Sequence, residues 1–236
     1  MEQTLVGGSL PNELEPVLDE WVVRGRRMPV NPGIERETGL IIPEVIGYEV
    51  DRKETLRRIF AAPPNTTVEL ARVPLRPLYT KKDLADLSVV IGRYETVIHG
   101  TPERAENIRL AAFSIHNRII WPGEIFSFNQ VVGPRTAERG YQIAPVIDSD
   151  TQLGLGGGVC QMSSTLYNAV LRAKLPIVQV HRHSKPVTYV PLNRDAAVVY
   201  GFQDFRFRNN RSTPIVIQAS VSQSTLQVRI MGREGR

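Results

Sequence analysis

Apolar positions along the chain alternate between a helical spacing and a strand spacing, and the order of the two outlines the fold. Glu13 to Arg26 has the pattern of a helix, followed by a Pro- and Gly-bearing turn, Met28-Pro29-Val30-Asn31-Pro32-Gly33. An extended piece spans Gly39 to Val50, and a second helix is predicted from Asp51. Asp51 and Glu54 have capping-box spacing, with Asp51 as the N-cap acceptor and Glu54 reaching back from the third helical position. Pro63-Pro64-Asn65 stops that helix, and Val68 and Leu70 alternate with polar residues as a strand would. A proline-bearing stretch with Pro74 and Pro77 leads out, and the two regions are expected to separate near residues 75–95.

The second region opens with a helix that Thr101 caps and Pro102 begins. Ile108, Ala111, Ala112 and Ile115 form one apolar stripe along it, and Trp121-Pro122-Gly123 is the expected stop. Phe126 and Phe128 then share a face of a predicted strand. Another helix spans about Cys160 to Arg172, with Met162, Leu166, Ala169, Val170 and Ala173 on its buried side. Short β runs follow at 177–180, 187–190, 196–200, 205–208 and 215–221, and Leu226, Val228 and Ile230 alternate in a last strand. Helices followed by a run of strands predict an α+β fold with a mainly antiparallel sheet, the glycine turn and Cys160 helix packed on it. The expected division is a small α+β module over 1–78 and a larger domain over 85–232.

With 236 residues, 42% of them hydrophobic, the chain is long enough for such cores and unlike a disordered sequence. The net charge of +5 is spread along the chain, without blocks of like charge or interleaved aromatics, which argues against nucleic acid. A mildly basic solvated surface is the simplest account, and attraction to an anionic wall polymer is the alternative. No 18-residue apolar run exists and residues 1–31 lack a signal-peptide core, so an exported form would need a signal or anchor upstream.

The strongest chemical signal is Gly154-Leu-Gly-Gly-Gly-Val-Cys160-Gln-Met-Ser-Ser-Thr-Leu-Tyr. No Gly-Lys-Ser/Thr follows the glycines, and the dinucleotide fingerprint lacks its third glycine, so no nucleotide or other cofactor is expected. A thiol at the start of a helix is different. Unpaired N–H groups and the helix dipole favour thiolate, which is the nucleophilic form. Gly158 and Gln161 flank Cys160 as candidate oxyanion or substrate contacts, and Ser163 offers a further polar group, although Ser163 and Ser164 also suit a capping role.

A nucleophilic cysteine needs a base. His99 and His116 have the look of surface or packing residues. His181 and His183 lie two apart after a predicted strand, so one can face Cys160 while the other supports it, and Asp195 can orient an imidazole. His183 is preferred as the base, with His181 and Arg194 as substrate contacts. Three ligands for zinc (Cys160, His181, His183) are a competing reading, but no fourth is indicated by spacing and no metal is expected. An inert buried thiol remains the simplest account. The order Cys, helix, strand, His, strand, Asp resembles that of transglutaminase-like and papain-like enzymes, as does Leu166 to Val180. The short Cys-to-His gap departs from that pattern.

A wider resemblance rests on Arg104-Ala-Glu-Asn107-Ile, Trp121 to Asn129, Val132-Gly-Pro-Arg-Thr136, Gly140-Tyr141, Gly156 to Tyr167, His183-Ser184, Pro186 to Pro191, Arg194-Asp195-Ala196 and Phe205 to Asn209. On these motifs, residues 85–232 resemble the VanW family of bacterial envelope proteins. Ile42-Pro-Glu-Val-Ile-Gly47-Tyr-Glu-Val-Asp51 resembles part of the peptidoglycan-binding module that often precedes such domains. The family resemblance implies an extracytoplasmic setting, exported or anchored, and a link to vancomycin-resistance clusters, but no reaction. Two readings follow. One is a cysteine-dependent acyl or amide hydrolase or transferase acting on peptidoglycan or an attached peptide. The other is a non-catalytic wall-binding or scaffold protein whose groove involves Arg135, Arg194 or Tyr189.

Overall fold

A computed structural model of the chain describes residues 11–146 and 153–233. The elements are, in order, α1 (Pro11–Arg24), β1 (Gly33–Ile34), β2 (Ile41–Ile42), β3 (Gly47–Val50), α2 (Arg52–Ala61), β4 (Arg72–Leu75), α3 (Lys81–Ala85), β5 (Val89–Val97) and α4 (Pro102–Ile115). After them come β6 (Arg118–Ile120), β7 (Ile125–Ser127), α5 (Phe128–Val132), a 3-10 turn at Ala137–Arg139, β8 (Ile143–Pro145) and β9 (Leu153–Leu155). The last part holds α6 (Val159–Arg172), β10 (Ile177–Gln179), β11 (Arg206–Arg208), β12 (Ile215–Ser222) and β13 (Thr225–Gly232). Of the described residues, those up to Gly33 and Ile42–Lys81 form one compact unit, and Ile34–Ile41 with Lys82 onward form the other. The fold is mixed α and β, with its multistranded sheets antiparallel.

In the first unit Asp51 caps α2 as expected, its Oδ1 accepting from the Glu54 N–H at 2.9 Å. The other half of the capping box does not form: Glu54 pairs with Arg57 at 2.7 Å and Arg58 at 3.1 Å instead, three and four positions closer to the helix end. The strand expected around Val68 and Leu70 lies at Arg72–Leu75, paired with β3. Pro74 fits there because it stands opposite Tyr48, whose N–H and C=O bond to Arg27 rather than to β4.

The second unit is built on a four-stranded sheet in the order β5-β13-β12-β6. Ile215, Ile217 and Ala219 of β12, with Leu226, Val228 and Ile230 of β13, enter the main core. The apolar stripe of α4 (Ile108, Ala111, Ala112, Ile115) enters the same core, with α4 against β12 and α6 against β5 and β13. Gly92 permits the close approach of β5 and α6, since a Cβ there would lie 2.3 Å from the Ala169 carbonyl oxygen. A second cluster joins Leu84, Leu87 and Val216 to the half-buried Ile34, Ile41, Ile119, Trp121 and Met231. The three-stranded sheet β10-β11-β7 adds an aromatic core in which the Phe207 ring lies 5.1 Å from Phe126 and 5.8 Å from Phe205.

Several local expectations are corrected. The helix opened by Thr101 ends at Ile115, before Trp121, because Asn117 takes a left-handed φ of 56° and turns the chain into β6. Phe128 begins α5 rather than extending β7, since Ser127 caps that helix through the Gln130 N–H. No strand forms over 187–190, and the 196–200 segment makes only isolated bridges at Ala197 and Val199. The two units part between Lys81 and Lys82, inside the 75–95 stretch, whose later part supplies most of α3 and of β5 to the larger unit. α6 is buried nearly all round rather than on one side.

Candidate active site

The polar side chains of buried α6 are paired with main chain, and that pairing brings the candidate residues together. Ser163 donates to the Ala196 carbonyl at 2.5 Å, and Ser164 accepts from the Ala196 N–H at 2.9 Å. Asn168 donates to the Arg194 carbonyl at 2.7 Å. Cys160 Sγ continues the row, 3.5 Å from Val198 N and 3.6 Å from Val198 O. Positions 160, 163, 164 and 168 occupy one face of the helix. That face holds the 194–198 segment in place of a neighbouring strand. Ser163 and Ser164 are therefore interior clamps and not caps; the N-cap is Gly158.

The glycine turn before α6 is required by what crosses it. Gly156 and Gly158 have φ of 78° and 106°, which favour glycine. A Cβ on Gly157 would lie 2.5 Å from the Ala144 carbonyl oxygen, and one on Gly158 would lie 2.6 Å from Arg104 Nη1. Buried Asn107 of α4 ties the turn down, donating to Gly157 O at 3.0 Å and Gln142 O at 2.9 Å while accepting from Gln142 N at 2.8 Å.

Beside Cys160 stands His183, whose side chain is only 3% exposed. Its Nδ1 lies 2.8 Å from Asp195 Oδ2, and its backbone N–H donates to the same oxygen at 2.8 Å. The ring and the Cys160 side chain line the same cavity, and the thiol group acts on the imidazole in the sense that favours its charged form. Burial works against charge on the imidazole. The Cys160 and Asp195 side chains outweigh it and raise the pKa from 6.5 to about 9. Burial likewise acts to raise the Asp195 carboxyl, but the His183 hydrogen bonds hold it below its ordinary value. Arg182 reinforces the acid from outside through its hydrogen bond to the Asp195 carbonyl, and packs over the Tyr167 ring at 5.0 Å.

Cys160, His183, Gly158 and Gln161 line a cavity of about 570 Å³, together with Arg104, Arg135 and Tyr189. Val146, Leu155 and Val198 give it an apolar wall. The N–H of Gln161 is occupied by Gly158 O at 2.9 Å, and that of Val159 by Gly156 O at 3.0 Å. The Cys160 N–H lies in the first turn of α6, where an N–H has no partner within the helix. Both ends of the Gln161 amide are also engaged, with Nε2 on Thr96 Oγ1 and Val97 O and Oε1 receiving Arg104 Nη2 at 2.7 Å. Gln161 thus positions Arg104 instead of offering an oxyanion donor.

Residues 103–231 match the family described as VanW like protein. The chain belongs to the VanW family. It is 41% identical over 199 residues to the Uncharacterized protein YoaR of Bacillus subtilis, covering 82% of this chain and 65% of that protein. It is 30% identical over 110 residues to the Vancomycin B-type resistance protein VanW of Enterococcus faecalis, covering 44% of this chain and 40% of that protein. The chain thus spans less than two thirds of the length of either relative. No solved structure matches it, so the likeness to transglutaminase- and papain-like cores gains no support from a structural neighbour.

Within this VanW-family site, the other expected residues stand apart. His181 bridges to Ala197 through its backbone and pairs its ring with Gln179 at 2.9 Å, away from His183. The set Cys160, His181 and His183 is therefore not assembled as metal ligands, and no group of three His, Cys, Asp or Glu converges among the described residues. Arg194 is exposed, and Ser163 is fully buried behind the cavity wall. Arg104 was not singled out from the sequence as a site residue. Its signal was available, because a family motif begins with it and the glycines at 156–158 require something bulky lying against them.

Proposed function

We propose that this VanW-family chain is a cysteine-dependent acyl-transfer enzyme of the cell envelope, acting on an amide of peptidoglycan or an attached peptide. The observation that carries the reading is that Cys160 and His183 line one cavity, able to enclose a short peptide, with the His183 ring held by Asp195 at 2.8 Å. His183 takes the Cys160 proton and Sγ attacks the carbonyl carbon, forming the C–S bond and moving the carbonyl electron pair to oxygen. The Cys160 N–H at the start of α6 supports that oxygen. The intermediate collapses to a thioester as the C–N bond breaks, and imidazolium gives its proton to the leaving amine. Water then yields the acid, or an amine yields a new amide; in either case His183 accepts the nucleophile's proton and returns it to sulfur. Asp195 keeps the ring oriented throughout. The envelope setting is supported by the family and by the printed name of the Enterococcus relative; no helix among the described residues is long and apolar enough to cross a membrane.

The first test is alkylation of native protein by iodoacetamide at neutral pH. The pair predicts rapid labelling of Cys160, slowed at least about tenfold in His183→Ala. A thiol labelled only after unfolding overturns the catalytic reading.

A second reading, a wall-binding protein with a structural thiol, is favoured by one observation. Cys160 Sγ rests against both polar main-chain groups of Val198, as a packing residue would. Pull-down on purified cell wall separates the two. Equal retention of wild type and Cys160→Ser, with the wall polymer chemically unchanged, supports binding alone.

A further inference from the structure

The cavity contains two cations with no carboxylate beside them. Arg104 and Arg135 both line it, and no Asp or Glu does among the described residues. Their hydrogen bonds go to neutral acceptors: Gln161 Oε1 for Arg104, and Asn129 Oδ1 with Gly133 O for Arg135. Arg104 Nη1 and Arg135 Nη2 are buried and have no hydrogen-bond partner. Burial disfavours both charges. For Arg135 the carboxylate of Asp204 exerts some pull, but its oxygens are already taken by Ser127 Oγ and Asn129 N. Cys160 is the ionisable group that both guanidinium groups share.

Such an arrangement costs stability unless an anion completes it, because buried charge without a counter-charge is strongly disfavoured. The single sulfur of Cys160 is no lasting counter-charge, since it is taken up when the thioester forms. A ligand carboxylate would remain through the whole cycle. Guanidinium is also the side chain best shaped to hold a carboxylate. Part of the lining, with Pro145, Val146, Leu155 and Val198, is apolar and suits small aliphatic side chains rather than a polymer polar along its length. The cavity is of a size that encloses a short peptide rather than a long glycan.

Resting on the acyl-transfer reading, we infer that the cavity selects a short peptide with small aliphatic side chains and a free carboxylate, held by Arg104 and Arg135 beside the amide that Cys160 attacks. The carboxylate belongs either to the peptide's C-terminus or to an acidic side chain, and ligand chemistry distinguishes the two.

The test uses full-length Cys160→Ser, which cannot form a thioester, and calorimetric titration with three trialanine-based probes. These are the free acid, its C-terminal amide, and the amide with a glutamate in the middle position. The expected result is binding of at least one carboxylate probe at least about tenfold more tightly than the neutral amide. The preferred probe shows which carboxylate is read. Arg104→Gln and Arg135→Gln should each remove most of that preference. The comparison of acid with amide in one protein stands even if an arginine variant fails to fold. Equal affinity of both carboxylate probes and the neutral amide, or no binding of either carboxylate probe, overturns the inference, and so does binding confined to a glycerol-phosphate oligomer. Alkylation of wild-type Cys160, measured in parallel, separates the two claims. An inert thiol with carboxylate-selective binding would leave the anion site standing and remove the acyl-transfer reading.

Discussion

At the scale of single residues, the site turns on how a buried imidazole keeps its charge. His183 is shielded from water, which opposes protonation, yet its pKa stands at about 9 because Cys160 and Asp195 both favour the imidazolium. Asp195→Asn retains the shape and removes one of those charges. The His183 pKa should then fall from about 9 toward 6.5, read from the imidazole resonances in an NMR titration. An unchanged value would show that Asp195 does not hold the ring. The sign for stability follows from linkage. A pKa raised above its ordinary 6.5 makes protonation favour the folded state. This contribution is complete below about pH 6.5 and is lost as pH rises through about 9. Melting temperatures of wild type and Asp195→Asn should therefore differ most at the acidic side of that window and converge above it. Of this site, Cys160, His183 and Asp195 were legible in the sequence from residue type and order. Arg104 was not, because an arginine near the start of a helix reads as surface until the partner that buries it is known.

At the scale of elements, the sequence pattern served best where one face of an element is wet. α4 and the β12–β13 hairpin follow their periodicity closely, with Ile108, Ala111 and Ile115, and then Leu226, Val228 and Ile230, all turned inward. It served poorly where burial is two-sided or the edge is charged. β5 escaped notice because Gly92, Arg93 and Glu95 interrupt Val89–Val97, although Gly92 is there to admit α6. The serines of α6 read as caps, whereas they and Asn168 are buried and bonded to the 194–198 backbone. That segment consequently has its main-chain groups satisfied without joining a sheet, which is why strand-like sequence there makes only bridges. The glycine turn obeys the same logic of close approach. Gly157→Ala would place a methyl 2.5 Å from Ala144 O and 2.6 Å from Pro145 O, and backbone cannot swing aside as a side chain can. The expected cost is about 1–3 kcal/mol in urea denaturation, with slower Cys160 alkylation in the folded state. Unaltered stability would mean that the turn and β8 separate freely.

At the scale of the whole molecule, the larger unit is not one continuous stretch of sequence. Reading the chain in order places a domain at 85–232, yet the second cluster draws Ile34 and Ile41 from far upstream and Leu84 from just before that boundary. The upstream piece is held by specific polar contacts as well. Asn117 Nδ2 donates to the carbonyls of Arg36 at 3.0 Å and Glu35 at 3.4 Å, and Arg36 lies over the Phe113 ring at 5.5 Å. Hydrophobic period cannot reveal such an insertion, because Ile34 and Ile41 are too few to mark an element and sit beside Pro and Gly. A fragment of residues 85–232 would leave Leu87 and Val216 without the side chains that cover them and Asn117 without its acceptors. It should be about 2–4 kcal/mol less stable than the full chain by denaturant unfolding. Its exposed apolar cluster should also promote association, visible as a concentration-dependent sedimentation coefficient. A second fragment, beginning at residue 34 and continuing to the end of the chain, restores every one of these contacts and should recover most of the lost stability. If the two fragments unfold alike, the 34–41 segment is a passive passenger on the sheet. If only the longer fragment is stable, part of the larger unit's stability comes from residues the chain lays down before the smaller one is complete.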